Sequence, residues 1–156
     1  MNKENKMNKD VLITIHSIQN IDGRDCDGPE LVTQGTYEYA PDGARFSYME
    51  SALTGLDGTR TDFHIKPEEV VLSRRGAVNA QMVFRRGEKQ RFRYQTDFGA
   101  LSMGLNTHKL ECSMGEHGGD VEIEYDLNFN QSFLSRNRFI INVRAKGVEP
   151  VPPVSG

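Results

Sequence analysis

The sequence predicts an all-β protein, a single antiparallel β-barrel of about ten strands occupying residues 10–146. Three observations predict it. Apolar residues recur at every second position over most of the chain, as at Val121, Ile123, Tyr125, Leu127 and Phe129, with Glu122, Glu124, Asp126 and Asn128 between them. Glycine-bearing turn signals interrupt these runs at intervals of roughly 8–15 residues, the rhythm of consecutive antiparallel strands. No segment carries a helical period. Successive strand side chains point to opposite faces, so each run has one dry and one wet face. With no helix to cover the dry faces, the sheet must close on itself or stack as two layers. Closure also removes exposed edges.

The elements follow in order. Early strands are predicted over Val11–Ile21, Leu31–Tyr39, Phe46–Ala52, Thr61–Lys66, Val70–Arg75 and Gln81–Arg86. Phe92, Tyr94 and Thr96 then alternate with Arg91, Arg93 and Gln95. Leu101, Met103 and Leu105 follow, then Leu110, Cys112 and Met114, the 121–129 run, and Phe139, Ile141 and Val143. The punctuation is Asp22-Gly23, Pro41-Asp42-Gly43, Asp57-Gly58, Arg75-Gly76, Arg86-Gly87 and Gly118-Gly119, where glycine accepts the positive φ of tight turns. Residues 1–9 are polar and read as a flexible segment. Residues 147–156, GVEPVPPVSG, read as a flexible Pro-rich tail, since proline cannot extend a ladder.

Composition narrows the function classes. The 156 residues carry a net charge of −3, with 26% charged and 37% hydrophobic residues. That balance argues against a protein built mainly to coat nucleic acid. No apolar run approaches a membrane span, and the polar N-terminus MNKENKMNKD lacks a secretion signal. Two cysteines, Cys26 and Cys112, are too few for a disulfide framework and fit a reducing cytoplasm.

The inward set is almost wholly apolar and aromatic, with two ionisable exceptions. Alternation from Phe46 and Tyr48 carries Glu50 inward, and alternation from Val70 and Leu72 carries Arg74 inward. A lone buried charge costs several kcal/mol, so the two need each other or a ligand. One reading makes Arg74, Glu50, Tyr48, Tyr94 and Tyr125 the polar anchor of a small hydrophobic or amphipathic ligand inside the barrel. Arginine suits carboxylate or phosphate because its planar fork binds two oxygens. The other reading places both charges at the barrel mouth, in water. Val71 leaves the parity of the Arg74 strand open.

Other constellations fail on geometry. Ala100-Leu101-Ser102-Met103-Gly104 approaches a serine-hydrolase elbow, but alternation runs straight through it and the first Gly is missing. His108 and Cys112, on one strand, stand about 13 Å apart, too far to share a zinc ion. His117 falls in a turn. The carboxylates Glu111, Glu122, Glu124 and Asp126 point outward and pair with Arg138 or Arg144. Gly55-Leu56-Asp57-Gly58 lacks the helix and lysine of a phosphate loop. No catalytic residue, metal or cofactor is therefore expected, and the chain does not read as an enzyme. A basic cluster does stand out: Arg75, Arg85, Arg91 and Arg93 should share the outer face. That stripe offers an alternative function, an interaction module for RNA or an acidic protein. Nucleic acid is the weaker partner, because Phe84, Phe92 and Tyr94 beside the stripe point inward and leave no stacking platform.

Taken in order, several short segments resemble the small bacterial family of unknown function DUF1934, the YwiB-like proteins. They are Asp10-Val11-Leu12-Ile13, Glu30-Leu31-Val32-Thr33-Gln34-Gly35, Tyr48-Met49-Glu50, and Thr54-Gly55-Leu56-Asp57-Gly58-Thr59. Arg75-Gly76 leading to Gln81-Met82-Val83-Phe84, Tyr94-Gln95-Thr96-Asp97-Phe98-Gly99, and Gly118-Gly119 leading to Tyr125 complete the set. Asp97 departs from the proline this pattern favours before the aromatic-glycine pair. The resemblance implies a calycin-type barrel, similar to lipocalins and fatty-acid-binding proteins, in the bacterial cytoplasm. It brings no activity and no catalytic residues. Binding of a small molecule inside the barrel is implied by fold analogy alone.

Overall fold

The computed structural model describes residues 9–28 and 30–146. Eleven strands follow one another: β1 (Lys9–Ile21), β2 (Arg24–Asp27), β3 (Leu31–Ala40), β4 (Gly43–Met49), β5 (Arg60–Lys66), β6 (Glu69–Arg75), β7 (Ala80–Phe84), β8 (Lys89–Thr96), β9 (Gly99–Gly115), β10 (Gly118–Phe129) and β11 (Ser132–Ala145). A 3-10 turn at Ala52–Thr54 joins β4 to β5. Ten strands form one antiparallel sheet in the order β7-β6-β5-β4-β3-β1-β11-β10-β9-β8. β2 lies off this path as a short hairpin on β1, through Asp22-Gly23. Among the described residues no helix is long and apolar enough to cross a membrane.

The sheet curls until its two outer strands meet. β7 and β8 run side by side, and Asn79 and Gln95 exchange both backbone hydrogen bonds, at 2.8 and 3.0 Å. Gly87 N–H donates to the Thr107 carbonyl at 2.8 Å on the other side of β8. The all-β, nearly closed ten-strand barrel is the architecture the two-residue rhythm predicts.

Inside, the core is aromatic at its waist. Phe46 and Phe63 stack with centroids 4.8 Å apart, and Phe63 meets Phe139 edge-on at 6.2 Å. Phe84 packs on Tyr125 at 4.9 Å, and Tyr125 on Phe139 at 5.9 Å. Val11, Ile13, Val70, Phe84 and Ile123 are fully buried around them. The middle of the barrel is therefore packed with side chains.

The two ends differ. At the end where β1 begins, Tyr37 is buried and its hydroxyl donates to the Gly115 carbonyl at 2.7 Å. At the far end β1, β9, β10 and β11 run on past the shorter strands. Their inward-facing residues become steadily more exposed. On β9, Leu105 is buried, Met103 half-buried and Leu101 48% exposed; on β1, Ile13 and Ile15 are buried and Ile21 is 41% exposed. The far end is a flared mouth.

Several expectations need correction. Lys9 belongs to β1, paired with Tyr37, so the barrel begins one residue before the predicted boundary. Residues 1–8 and the 147–156 tail lie outside the described residues. Two predicted short runs, Leu101–Leu105 and Leu110–Met114, are one 17-residue strand, β9. A bulge opposite Glu124/Tyr125 inserts His108 and lets Thr107 and Leu110 share the inner face. Gly118-Gly119 is not the turn itself but the start of β10. Glycine is needed there because a Cβ at either position would collide with neighbouring backbone, at Val143 and Ser113.

Phe63→Ala removes the ring that bridges the stack and the edge contact. It is expected to lower unfolding free energy by about 3–5 kcal/mol, read from denaturant melts.

Candidate functional site

The inner face of the flared end carries the charges the sequence places inside. Glu50 follows β4, its N–H bonded to the Thr59 carbonyl at 2.7 Å. Its side chain is only 2% exposed. Both carboxylate oxygens accept hydroxyls: Oε2 from Thr61 at 2.6 Å and Oε1 from Thr54 at 2.9 Å. The 3-10 turn thus serves a chemical purpose, because it folds Thr54 back over the carboxylate. Arg74, on β6 in register with Thr61, brings Nε to 3.8 Å from Glu50 Oε2. The pair is an ion contact without a direct hydrogen bond, while the Thr61 and Thr54 hydroxyls each bond one carboxylate oxygen.

The consequence is an arginine with unused donor capacity. Arg74 Nε is buried and has no hydrogen-bond partner, while the side chain as a whole remains 21% exposed. A second buried polar atom on the inner face, Thr107 Oγ1, is also unpartnered. Thr107 is in register with Tyr125, and Tyr125 feels the Arg74 charge. An unpaired buried donor or acceptor costs about 1–3 kcal/mol.

The tyrosines report the same dry environment. Burial pushes Tyr125 up to about 12, with Arg74 pulling weakly the other way. Burial, then the Glu50 carboxylate, pushes Tyr48 well above the ordinary tyrosine value. Tyr37, at the end where β1 begins, is raised to about 12 by burial and by Tyr39.

Of the five residues predicted for a ligand, the structure brings Tyr48, Glu50, Arg74 and Tyr125 together. Tyr94 lies half-buried on the inner face of β8, paired with Leu101 nearer the rim. Sequence reasoning missed Thr61, Thr54 and Thr107. Thr61 and Thr107 sit on the inner face by parity, and a buried threonine beside a buried charge was the available signal. The two readings of Glu50 and Arg74 divide between the residues: Glu50 is buried, and Arg74 reaches solvent in part.

The outer face looks different. Arg85 of the predicted stripe sits in the β7–β8 turn and is taken by Glu69 at 2.7 Å, with Glu88 at 3.7 Å. Arg75 on β6 and Arg91 and Arg93 on β8 are exposed, with β7 between the two strands. Arg91 reaches Ser102 Oγ at 3.4 Å. A groove of about 700 Å³ crosses β8, β9 and β10 on this face, lined by Lys89, Arg91, Ser102, Gly104, Asn128 and Asn130 among others. A cleft of about 480 Å³ opens at the β1-start end, beside Arg86, Leu110, Cys112 and Met114. Farther round, Glu122 accepts from Arg138 at 2.7 Å and Asp126 from Arg136 at 2.8 Å, so Arg136 replaces Arg144 in the predicted pairing. Among the described residues no three His, Cys, Asp or Glu side chains are placed to hold a metal ion.

A model of the family described as a domain of unknown function, DUF1934, matches residues 13–141. The chain belongs to this family. It is 27% identical over 124 residues to the uncharacterized β-barrel protein YwiB of Bacillus subtilis (strain 168), covering 78% of this chain and 85% of that one. The crystal structure of the YwiB protein from Bacillus subtilis superposes with a TM-score of 0.80 at 22% identity, covering 93% of this chain and 99% of that one. That likeness speaks to the fold.

A tyrosine that ionises more readily unfolded than folded supplies stability that is complete below the unfolded pKa and lost as pH rises through the folded one. Tyr125 and Tyr37 define a window from 10.0 to about 12. Chemical stability should fall steeply across that window, and Tyr125→Phe should make the fall shallower.

Proposed function

We propose that this protein is a binder of a small amphipathic anion, taken head-first into the flared end of the barrel, and not a catalyst. The observation that carries the reading is Arg74: a guanidinium on the inner face whose Nε is buried and unpartnered, beside a carboxylate already satisfied by two threonines. A carboxylate or phosphate head would supply the missing acceptor and form charge-assisted hydrogen bonds. Tyr48 and Tyr125 hold the surroundings dry. Glu50, 3.8 Å from Arg74 Nε, balances part of the guanidinium charge.

The apolar body would rest on the inner face of the overhanging strands. Leu101, Met103, Leu127 and Phe129 form that surface, half-buried or exposed in the free protein. Covering them removes apolar area from water at about 25 cal/mol per Å². The packed waist, with Phe46, Phe63, Phe84 and Phe139, limits how deep the body goes. The ligand therefore lies at the mouth, shallower than in a hollow calycin-type barrel.

Native mass spectrometry of protein purified from its own host should show a retained anionic small molecule. With an anionic naphthalene-sulfonate probe, Arg74→Met should weaken binding about tenfold to a hundredfold, as loss of a charged hydrogen bond requires. Tyr94→Phe should change it less. Unchanged binding in both variants sinks the anchor.

A second reading is favoured by the outer groove, where Lys89 and Arg91 stand on the face of β8 that also carries Arg93. An RNA strand or acidic protein held there would show steep salt dependence, and Arg91→Glu with Arg93→Glu would abolish it. Binding that ignores salt argues for the mouth alone.

A further inference from the structure

Arg74 stands in a row that crosses the inner face of six strands. The ladders set Tyr48 opposite Thr61, Thr61 opposite Arg74, and Arg74 opposite Ala80; beyond the seam they set Tyr94 opposite Leu101. The Asn79–Gln95 bridge carries the register across the seam, and one step on from it Ala80 faces Tyr94. The order along the row is therefore Tyr48, Thr61, Arg74, Ala80, Tyr94, Leu101. Glu50 meets Arg74 on one flank, through the same oxygen that Thr61 bonds; on the other flank stands only the Ala80 methyl. The other inward residues of this stretch are larger: Val78, Met82 and Phe84 are all buried on the face that Ala80 shares. Among the described residues no backbone hydrogen bond joins Ala80–Phe84 to Lys89–Tyr94, so nothing draws Tyr94 over the alanine. Paired strands stand about 4.8 Å apart, so Arg74 and Tyr94, two strands apart, are separated by about 10 Å with a methyl between them. Arg74, Ala80 and Tyr94 are half-buried, whereas Leu72, Met82 and Phe92, one step deeper, are buried. The row therefore contains a notch that solvent reaches, floored by Ala80 and walled by the guanidinium and the Tyr94 ring.

We propose that this notch seats the ligand's head, that it takes a tetrahedral head of the phosphate or sulfonate class in preference to a flat carboxylate, and that Ala80 sets this preference. The inference rests on the mouth reading of Arg74 and deepens it by naming the head group and the residue that selects it. A carboxylate carries two oxygens in one plane, so paired with the guanidinium fork it leaves the width of the notch to water. A phosphate places two oxygens on the fork and still has bulk to fill the space above the methyl. Its ester oxygen then leads the apolar body toward Leu101, the next residue of the row beyond Tyr94, and so onto the overhanging strands without crossing the packed waist. Glu50 lies on the opposite flank of Arg74, and the row itself carries no acid. Selection is by room: a methyl added at position 80 takes space that the larger head needs before it touches the smaller one.

The test is calorimetric titration of the full chain with decyl phosphate and with decanoate, both below their micelle concentrations. The two share one chain and differ in the head. The wild type should bind decyl phosphate more tightly than decanoate. Ala80→Val should weaken decyl phosphate about tenfold and decanoate less than about threefold, erasing the preference. Its melting temperature should not fall, since a β-branched residue suits a strand. Gln81→Val, the next residue but on the outer face, should change neither affinity. Ala80→Gly should hold decyl phosphate at least as tightly as the wild type, and it decides the matter should Ala80→Val fail to fold. The proposal is overturned if the wild type binds decanoate as well as decyl phosphate, if folded Ala80→Val keeps the wild-type ratio, or if Ala80→Gly loses decyl phosphate. Arg74→Met separates the two failures. If it releases both heads while Ala80→Val leaves their ratio alone, the anchor stands and the notch is wrong; if both heads bind it as they bind the wild type, the mouth reading falls and the notch with it.

Discussion

The meeting of β7 and β8 is the thinnest part of the wall, and the interior depends on it. Elsewhere neighbouring strands share long ladders, ten residue pairs between β1 and β11 alone. At the seam the two strands are tied by the Asn79–Gln95 bridge, with Gly87 and Thr107 bonded just beyond. Were the seam to part, Phe84 and Tyr125 would lose the enclosure that keeps them dry. The orphaned hydroxyl of Thr107 lies beside the same junction. A barrel closed by so few hydrogen bonds is held shut chiefly by what it has buried, which is the usual balance when apolar area outweighs each single bond.

The buried carboxylate shows how the fold tolerates a charge. Glu50 is taken out of water, a loss that only good partners offset. Two threonine hydroxyls each bond one of its oxygens, and Arg74 balances its charge at a distance. The division leaves the carboxylate satisfied and the guanidinium underused. An ion pair with full bidentate contact would instead have locked both groups and left nothing for a guest. The asymmetry is local in origin: the 3-10 turn delivers Thr54, and the β5–β6 register sets Arg74 opposite Thr61, with Nε 3.8 Å from the carboxylate.

Much of this architecture was legible in the residues because sheet geometry is written with a period of two. Parity alone placed Phe46, Tyr48, Glu50 and Tyr125 inside. The parity change in β9, from odd positions through Leu105 to even positions from Leu110, marks the bulge at His108, although read alone it looked like two strands. β2 was hidden because Arg24–Asp27 is exposed throughout and has no dry face to betray it. The commitments of surface charges were not legible either. Arg85 reads like its neighbours Arg91 and Arg93, yet turn geometry hands it to Glu69. Whether the waist was hollow or filled depended on aromatic rings from distant strands meeting, which no local pattern encodes.

The bulges also set what this chain tolerates in the way of length change. One stands opposite Glu124/Tyr125, and another, between β10 and β11, lies at Leu127/Asn128. Between them runs the short stretch that aims Tyr125 at the core. Losing or gaining a single codon there would turn the stretch inside out, exchanging tyrosine for its charged neighbours. The hairpin tips beyond carry no such phase. Divergence among relatives should therefore accumulate as indels at the loops, while the spacing from His108 to Leu110, and its counterpart across the ladder, stays frozen.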